Sequence, residues 1–231
     1  MAKVSGLNVR LFVMGNDLSG DANALDGAGY SQETLETTAL ESAAASRITG
    51  LADGSLTING YFDNATNKIH ATFSSNSGKI PTADQVVLAP FGSAVGSPMC
   101  GISAKEVSYS VSRGSGSAIT VSSAFSGNGM GGEFGVMLTA FDDTHNSASS
   151  ASGGSGYLQA ISLASGNVVL KIQHSADNSS WADLITYSSL ATSGVPTAVR
   201  TEVTGTVNRY LRIISTGTFS NAKIAAGFTR F

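Results

Sequence analysis

Charge is what this sequence has least of. Asp, Glu, Lys and Arg together make up 13% of its 231 residues, against about 25% in an average soluble domain. Ser, Thr, Asn and 27 glycines stand in their place, residues that suit turns, strand faces and close backbone approaches better than helix surfaces. The formal net charge is −3, and the 13 Lys and Arg are scattered with no basic run. That excludes nucleic-acid binding driven by phosphate neutralisation. A single cysteine, Cys100, excludes an internal disulfide and is expected to be a small buried hydrophobe. No cationic start followed by an apolar run marks a signal peptide, and no apolar run of about 18 residues could cross a bilayer. The expectation is a protein made in a cytoplasm, without a membrane.

What is there reads as strands. Hydrophobic residues reach 42%, enough for a core. Leu7 to Met14 is β-rich, with Val9, Leu11 and Val13 on one face, and Gly15-Asn16-Asp17 ends it with turn chemistry. Ser31 to Leu40 offers a weaker strand, and Glu41 to Asp53 a long connection of small residues. Leu56, Ile58 and Phe62 then alternate with Thr57, Asn59 and Tyr61 as in a half-buried strand. Asp63 can cap a helix, and Ala65, Ile69 and Phe73 recur at helical spacing. About three turns are predicted, to Ser74 or Ser75. Gln85 to Ala89 is an apolar strand stopped by Pro90. Glu106 to Arg113 places Val107, Tyr109 and Val111 on one face, and Gly114-Ser115-Gly116 joins it to Ile119-Thr120-Val121 as a hairpin. Phe134 to Phe141 is more fully apolar.

Asp142 to Gly156 is Ser-, Gly- and Ala-rich and reads as a flexible linker or exposed loop. Beyond it Val168, Leu170 and Ile172 alternate with polar partners, and Trp181–Tyr187, Val199–Val203, Val207–Ile214 and Lys223–Phe231 complete at least five short strands. The expected division is a β domain over 1–145, a linker or loop over 146–156 and a C-terminal β part over 157–231. The last is small enough to need a packing partner. The expected fold class is all-β: a sandwich or barrel with one flanking short helix, plus a smaller sandwich-like C-terminal part.

Candidate sites fail on context. Gly127, Gly129 and Gly132 have the spacing of a dinucleotide-binding loop but precede a strand where such a loop should open a helix; they read as a loop needing positive φ. His70, His145 and His174 have no nucleophile held against them, and no Gly-x-Ser-x-Gly elbow exists. Asp142, Asp143 and His145 could offer metal ligands, with nothing nearby to complete a shell. Trp181 and Tyr187 share a face of a regular strand and could stack a sugar, with core or interface packing the plainer reading. Arg209 and Arg212, near Tyr210, could contact an anion or form ion pairs. No catalytic residue, cofactor or metal is expected.

Leu11-Phe12-Val13-Met14-Gly15-Asn16-Asp17-Leu18-Ser19-Gly20 resembles the first strand and turn of tail tube proteins of long-tailed, siphovirus-like bacteriophages. So does Leu51-Ala52-Asp53-Gly54-Ser55-Leu56-Thr57-Ile58-Asn59-Gly60-Tyr61-Phe62-Asp63 followed by a short helix. Ile172 to Trp181 and Thr206 to Arg212 are similar to segments of related phage structural proteins. The likeness covers residues 6–75 and, more loosely, 168–231. It implies a virion structural protein that self-assembles into homohexameric rings, or trimers, stacked into a hollow tail tube. DNA would pass through the lumen without specific binding, and other tail proteins would be partners. The stretch from Leu40 to Leu51 falls where that family has a loop reaching the adjacent ring. The competing readings are a capsid decoration or cement protein and a glycan-binding surface module.

Overall fold

The computed structural model describes residues 9–41, 43–74, 78–138 and 141–231. Leu7 and Asn8 of the first expected strand, Ser75 at the expected helix end, and Thr139 and Ala140 of the strand expected over 134–141 lie outside the described residues. In chain order come β1 (Phe12–Val13), β2 (Asn16–Asp17), β3 (Ala22–Glu36), β4 (Arg47–Tyr61), helix α1 (Ile69–Phe73), β5 (Gln85–Pro90), β6 (Pro98–Arg113) and β7 (Ile119–Gly127). Then follow β8 (Glu133–Met137), β9 (His145–Asn146), β10 (Ala151–Ser162), β11 (Ser165–Ser175), β12 (Ala182–Thr186) and β13 (Leu190–Ala191). The last are β14 (Thr197–Val207), β15 (Tyr210–Thr216), β16 (Phe219–Ser220) and β17 (Lys223–Arg230). The protein is all-β with one short helix.

Eleven strands form one sheet. Its main path runs β14-β10-β17-β8-β6-β5-β1-β2, and β7, β4 and β3 continue from β6. The main path curls until its two ends face each other. The β1–β2 hairpin turns at Met14 and Gly15, both at positive φ, as a two-residue hairpin turn with the native twist requires. The Gly15 N–H donates to Gln159 Oε1 on β10 at 2.6 Å. A Cβ on Gly15 would lie 2.3 Å from the Thr197 backbone nitrogen on β14, so only glycine lets the ends come together. Phe12, Val86, Leu88, Met99, Met137, Tyr157 and Ala225, from β1, β5, β6, β8, β10 and β17, fill the inside of this curl. Two further cores lie outside it. Leu56, Ile58, Val121 and Phe125 pack with Ile69 and Phe73 of α1 against Val13, Val87 and Ile102. On the opposite side Leu158, Ala226 and Phe228 pack under a six-stranded sheet of β12-β11-β15-β9 with β13 and β16, through Leu170, Ile172, Leu211 and Ile213.

Three sequence expectations change here. The stretch 146–156 is not a linker: Ala151 to Gly156 opens β10, which pairs with both β14 and β17, and Gly153 to Gly156 are buried. Glycine serves there for close packing, since a Cβ on Gly154 would meet Thr229 O at 2.3 Å. The 1–145 and 157–231 parts therefore share a sheet through β8 and β17, which supplies the C-terminal part with its packing surface. The predicted three-turn helix is a five-residue one. The Asp63 carboxylate accepts from the Ala65 N–H at 2.9 Å in a local turn, and Asn67 has φ 62°, which breaks a right-handed helix before Ile69. Finally, Arg47 to Asp53, read as connection, is the outer part of β4.

Candidate functional site

The surface that stands out is the sheet segment β3-β4-β7-β6. Its three pairings are all antiparallel: Leu25 opposite Ile58, Ile58 opposite Ser123, Tyr109 opposite Ser123. β6 owes its length to alternating small and β-branched residues. Its first half pairs with β5 as far as Ala104 opposite Gln85, and beyond that point β6 runs on to Arg113 with β7 as its partner. At the other side β3 pairs with β4, and Gly29 O also accepts the Gly132 N–H at 3.1 Å. Both lateral strands thus present long stretches of backbone edge, and four alternating strands make these two edges run in opposite directions.

The two faces of the segment differ sharply. One face carries Leu25, Leu56, Ile58, Val121 and Phe125 and is covered by core. The other carries Ser55, Thr57, Asn59 and Tyr61 from β4, Thr120, Ser122, Ala124 and Ser126 from β7, and Ser108, Ser110 and Ser112 from β6, all exposed or half-buried. Its charges are Asp26, which accepts from Asn59 Nδ2 at 2.8 Å, Asp53 opposite Ser31 at the root of the arm, and Lys105, held at 2.7 Å by Asp84. The exposed or half-buried charges along the two edges have opposite signs. β3 carries Asp26, Glu33 and Glu36, and the far half of β6 carries Lys105 and Arg113.

From Tyr30 outward, β3 and β4 leave the core as a two-stranded arm. Leu35 and Ile48 sit directly opposite each other, 47% and 54% exposed, and Leu51 is 89% exposed. Tyr30 and Leu40 add to this apolar surface. A bulge between Gln32 and Thr34 gives the arm its twist. An isolated two-stranded arm with apolar side chains in water is marginal alone and calls for a partner surface.

Two polar constellations, one buried and one half-buried, lie close to these strands. A bulge between Glu106 and Ser108 on β6 shifts the alternation, so Glu106, and not the expected Val107, is turned inward. Burial pushes its carboxyl up to about 7, against the pull of a 2.6 Å hydrogen bond from Ser123 Oγ. Val107 and Val111 stay exposed, while Tyr109 packs on the core and its hydroxyl meets His70 Nδ1 at 2.8 Å. Inside the curled sheet, Arg200 of β14 reaches Glu133 of β8 at 2.6 Å, and the Tyr157 hydroxyl donates to the same carboxylate. Burial and the neighbouring Glu133 push the Tyr157 phenol well above its usual range. This pair fastens strands that are not sheet neighbours.

The residues singled out in sequence are dispersed. Of the three glycines expected in a positive-φ loop only Gly129, at 75°, has such a φ; Gly127 ends β7, and Gly127 and Gly132 are needed for close packing, since a Cβ there would lie 2.1 Å from Met130 O and 2.6 Å from Gly29 O. Cys100 is buried, and burial pushes its thiol up to about 11. His145 lies in β9 rather than in a soft linker, half-buried, and burial lowers its pKa; His174 is lowered likewise, and its Nδ1 accepts the Asn208 N–H at 3.2 Å. Asp142 and Asp143 are exposed. No group of three or more His, Cys, Asp or Glu that could hold a metal occurs among the described residues. Tyr187 is buried in the C-terminal core, whereas half-buried Trp181 is covered by the Arg212 guanidinium at 4.2 Å, so the two form no shared stacking platform. A bulge at Leu184, between Asp183 and Ile185, breaks the regular alternation over 181–187 that platform required. Arg212 also donates to Gln173 Oε1, and Arg209 stacks on Tyr210 and donates to Asn146.

No protein-family model matches the chain, and no curated protein matches it in sequence. Solved structures that resemble it include one from the virion of a native gene transfer agent particle, at 15% identity and TM-score 0.42 over 55% of this chain and 95% of that one. Another is from the tube-terminating cap of the anti-feeding prophage, at 8% identity and TM-score 0.46 over 59% and 93%. A third is the Dit hub adsorption protein of phage SPP1, at 8% identity and TM-score 0.39 over 96% and 99%. No residue role is carried over from any of them.

Proposed function

We propose that this chain is a structural subunit of a bacteriophage tail that self-assembles into rings of six copies, or three, stacked into a hollow tube that DNA traverses. The observation that carries the reading is the β3-β4-β7-β6 segment. It has one uncovered face, two lateral edges with unpaired stretches and an apolar arm. A free-standing protein protects such edges with charge, with bulges or by covering them. Here the edges do carry charges and bulges, but the signs on β3 and β6 are opposite and the apolar arm stays uncovered, so copies of itself are the natural cover. Closed rings that stack head to tail make a filament from one subunit type. A conduit should not hold its cargo, and the uncovered face has no basic stripe to bind phosphates. In this reading residues 1–145 carry the assembly surfaces and 157–231 form an outer sandwich, and the protein acts without catalysis in the virion tail.

Size-exclusion chromatography with negative-stain microscopy tests this directly. Stacked rings or tubes are expected. Discrete trimers that never stack would point to capsid decoration instead, and a lasting monomer at high concentration would overturn assembly altogether. The arm is expected to be the inter-ring contact. Amide exchange along 30–36 and 47–53 should slow in tubes relative to free subunits, and equal protection in both would remove that role.

A further inference from the structure

Three basic side chains meet at one corner between the two sheets. Two of the chain's crossings from sheet to sheet, 147–150 from β9 to β10 and 208–209 from β14 to β15, run there side by side. Arg230, the last residue of β17, ties them together. Its guanidinium donates to Val207 O at 3.1 Å, Asn208 O at 2.6 Å, Arg209 O at 3.2 Å and Ser149 O at 3.4 Å. Among the described residues it forms no ion pair with a carboxylate. The Ser147 N–H donates to Arg209 O at 2.9 Å across the same gap. Two histidines complete the corner. His174 on β11 accepts the Asn208 N–H on Nδ1 at 3.2 Å. His145 on β9 sits opposite Leu211 and packs on the Gly96 turn, where a Cβ would stand 2.8 Å from its Nδ1. We infer that this corner is an acid-released fastener: protons on His174 and His145, both set beside the Arg230 cation, free the two crossings while the apolar core beneath stays closed.

The hydrogen bond from Asn208 sets the chemistry. Nδ1 of His174 accepts only while it carries no proton, so the neutral ring holds its proton on Nε2. A proton arriving at Nδ1 turns that acceptor into a donor facing another donor, and the contact with Asn208 is lost. On His145 a proton adds charge where burial and Arg230 already oppose it. Both imidazoles are lowered in pKa, by burial first and by Arg230 second. Stability from them is therefore complete above the free-histidine value of about 6.5 and is lost as pH falls below it. The other charged groups of the packed elements are engaged elsewhere or face water. Asp142 and Asp143, ahead of β9, are exposed. Asp177, in the turn after β11, accepts from Ser175, Ser179 and Ser180. Lys171 is paired with Asp183, and Glu202 with Arg200. Arg209 lies over Tyr210 and Arg212 over Trp181. Below the corner, Leu158, Ala226 and Phe228 pack against Leu170, Leu211 and Ile213, which do not titrate. Acid thus loosens the crossings without parting the sheets.

Amide exchange of the full chain at pH 8 and pH 5 tests the fastener within one copy, whatever its assembly. Labelling times are corrected for the intrinsic pH dependence of exchange. The Asn208 and Ser147 amides are expected to lose protection at pH 5, while the Leu138 N–H, bonded to Ala226 O at 2.8 Å, keeps its own. In the double variant His145→Gln, His174→Gln the new amide oxygen at 174 can still accept from Asn208, and both amides should stay protected at both pH values. Equal protection of Asn208 at pH 8 and pH 5 in the wild type would overturn the inference. The same loss at pH 5 in the double variant would overturn it too, by placing the sensor elsewhere. If the variant is open at both pH values, the ring-nitrogen shifts of His174 in the wild type decide. A neutral ring protonated on Nε2, with a midpoint below 6.5, is expected. A neutral ring protonated on Nδ1, or a midpoint at or above 6.5, would overturn the inference.

Discussion

Glu106 is where a single residue departs furthest from its usual chemistry. Its carboxyl is raised to about 7 by burial, so the folded protein holds a proton there that the unfolded chain releases. Stability from this group is therefore greatest at low pH and falls as pH rises from the unfolded value of 4.5 to about 7, by ~3 kcal/mol in all. Glu106→Gln keeps a partner for Ser123 and should remove that loss. Between pH 5 and pH 8 the unfolding free energy from urea titration should change by about 2.5 kcal/mol less unfavourably in the variant than in the wild type, part of the loss having already occurred at pH 5; the opposite effects of His145 and His174, lowered in pKa, cancel in the comparison. An unchanged gap between the two pH values would show that the carboxyl is ionised in the fold. Arg200 makes a second residue-scale prediction. Arg200→Ala leaves half-buried Glu133 with only the Ser155, Tyr157 and Thr229 hydroxyls and should cost less than the about 3–5 kcal/mol of a fully buried pair by denaturant titration, while the Arg200→Met, Glu133→Gln double variant recovers most of it.

At the scale of elements, the hairpin over 106–121, the strand halted by Pro90 and the alternation through Val168, Leu170 and Ile172 were all legible, because period-two patterning reports a covered face whatever covers it. The arm was not. Its exposed apolar residues follow no core, so β3 looked weak and the outer part of β4 looked like connection. Bulges hid the rest, since one extra residue reverses the face of everything after it; that is why Glu106 rather than Val107 is inside. The arm is predicted to be dispensable for folding and required for stacking. Leu35→Glu with Ile48→Glu should leave the melting temperature within a few degrees of wild type and abolish tubes in micrographs, leaving single rings. Gly101→Ala tests the interior instead: its Cβ would sit 2.6 Å from the Tyr157 ring, so the variant should lose about 1–3 kcal/mol.

For the whole molecule, composition pointed correctly to an all-β chain and misled about its division. Ser and Gly over 151–156 look the same in a loose tether and in a tightly packed strand, because both need small side chains, and only the neighbours Phe228, Thr229 and Ile185 tell them apart. The hydroxyl-covered face was legible only strand by strand, as Thr57, Asn59 and Tyr61 on one and the serines of 106–113 on another, and their joining into one surface was not, since they come from three separate strands. In the proposed tube that face would turn toward the axis, because the opposite face carries the body of the subunit. Ser110→Lys with Ser122→Lys should make assembled tubes retain duplex DNA on a filter at low salt and release it as salt rises, while wild-type tubes retain none. Serine and threonine hydroxyls keep a layer of water that exchanges hydrogen bonds freely and holds no fixed ions. A bore lined this way would be lubricated by its own hydration, with transit set by driving pressure and insensitive to the ionic strength on either side.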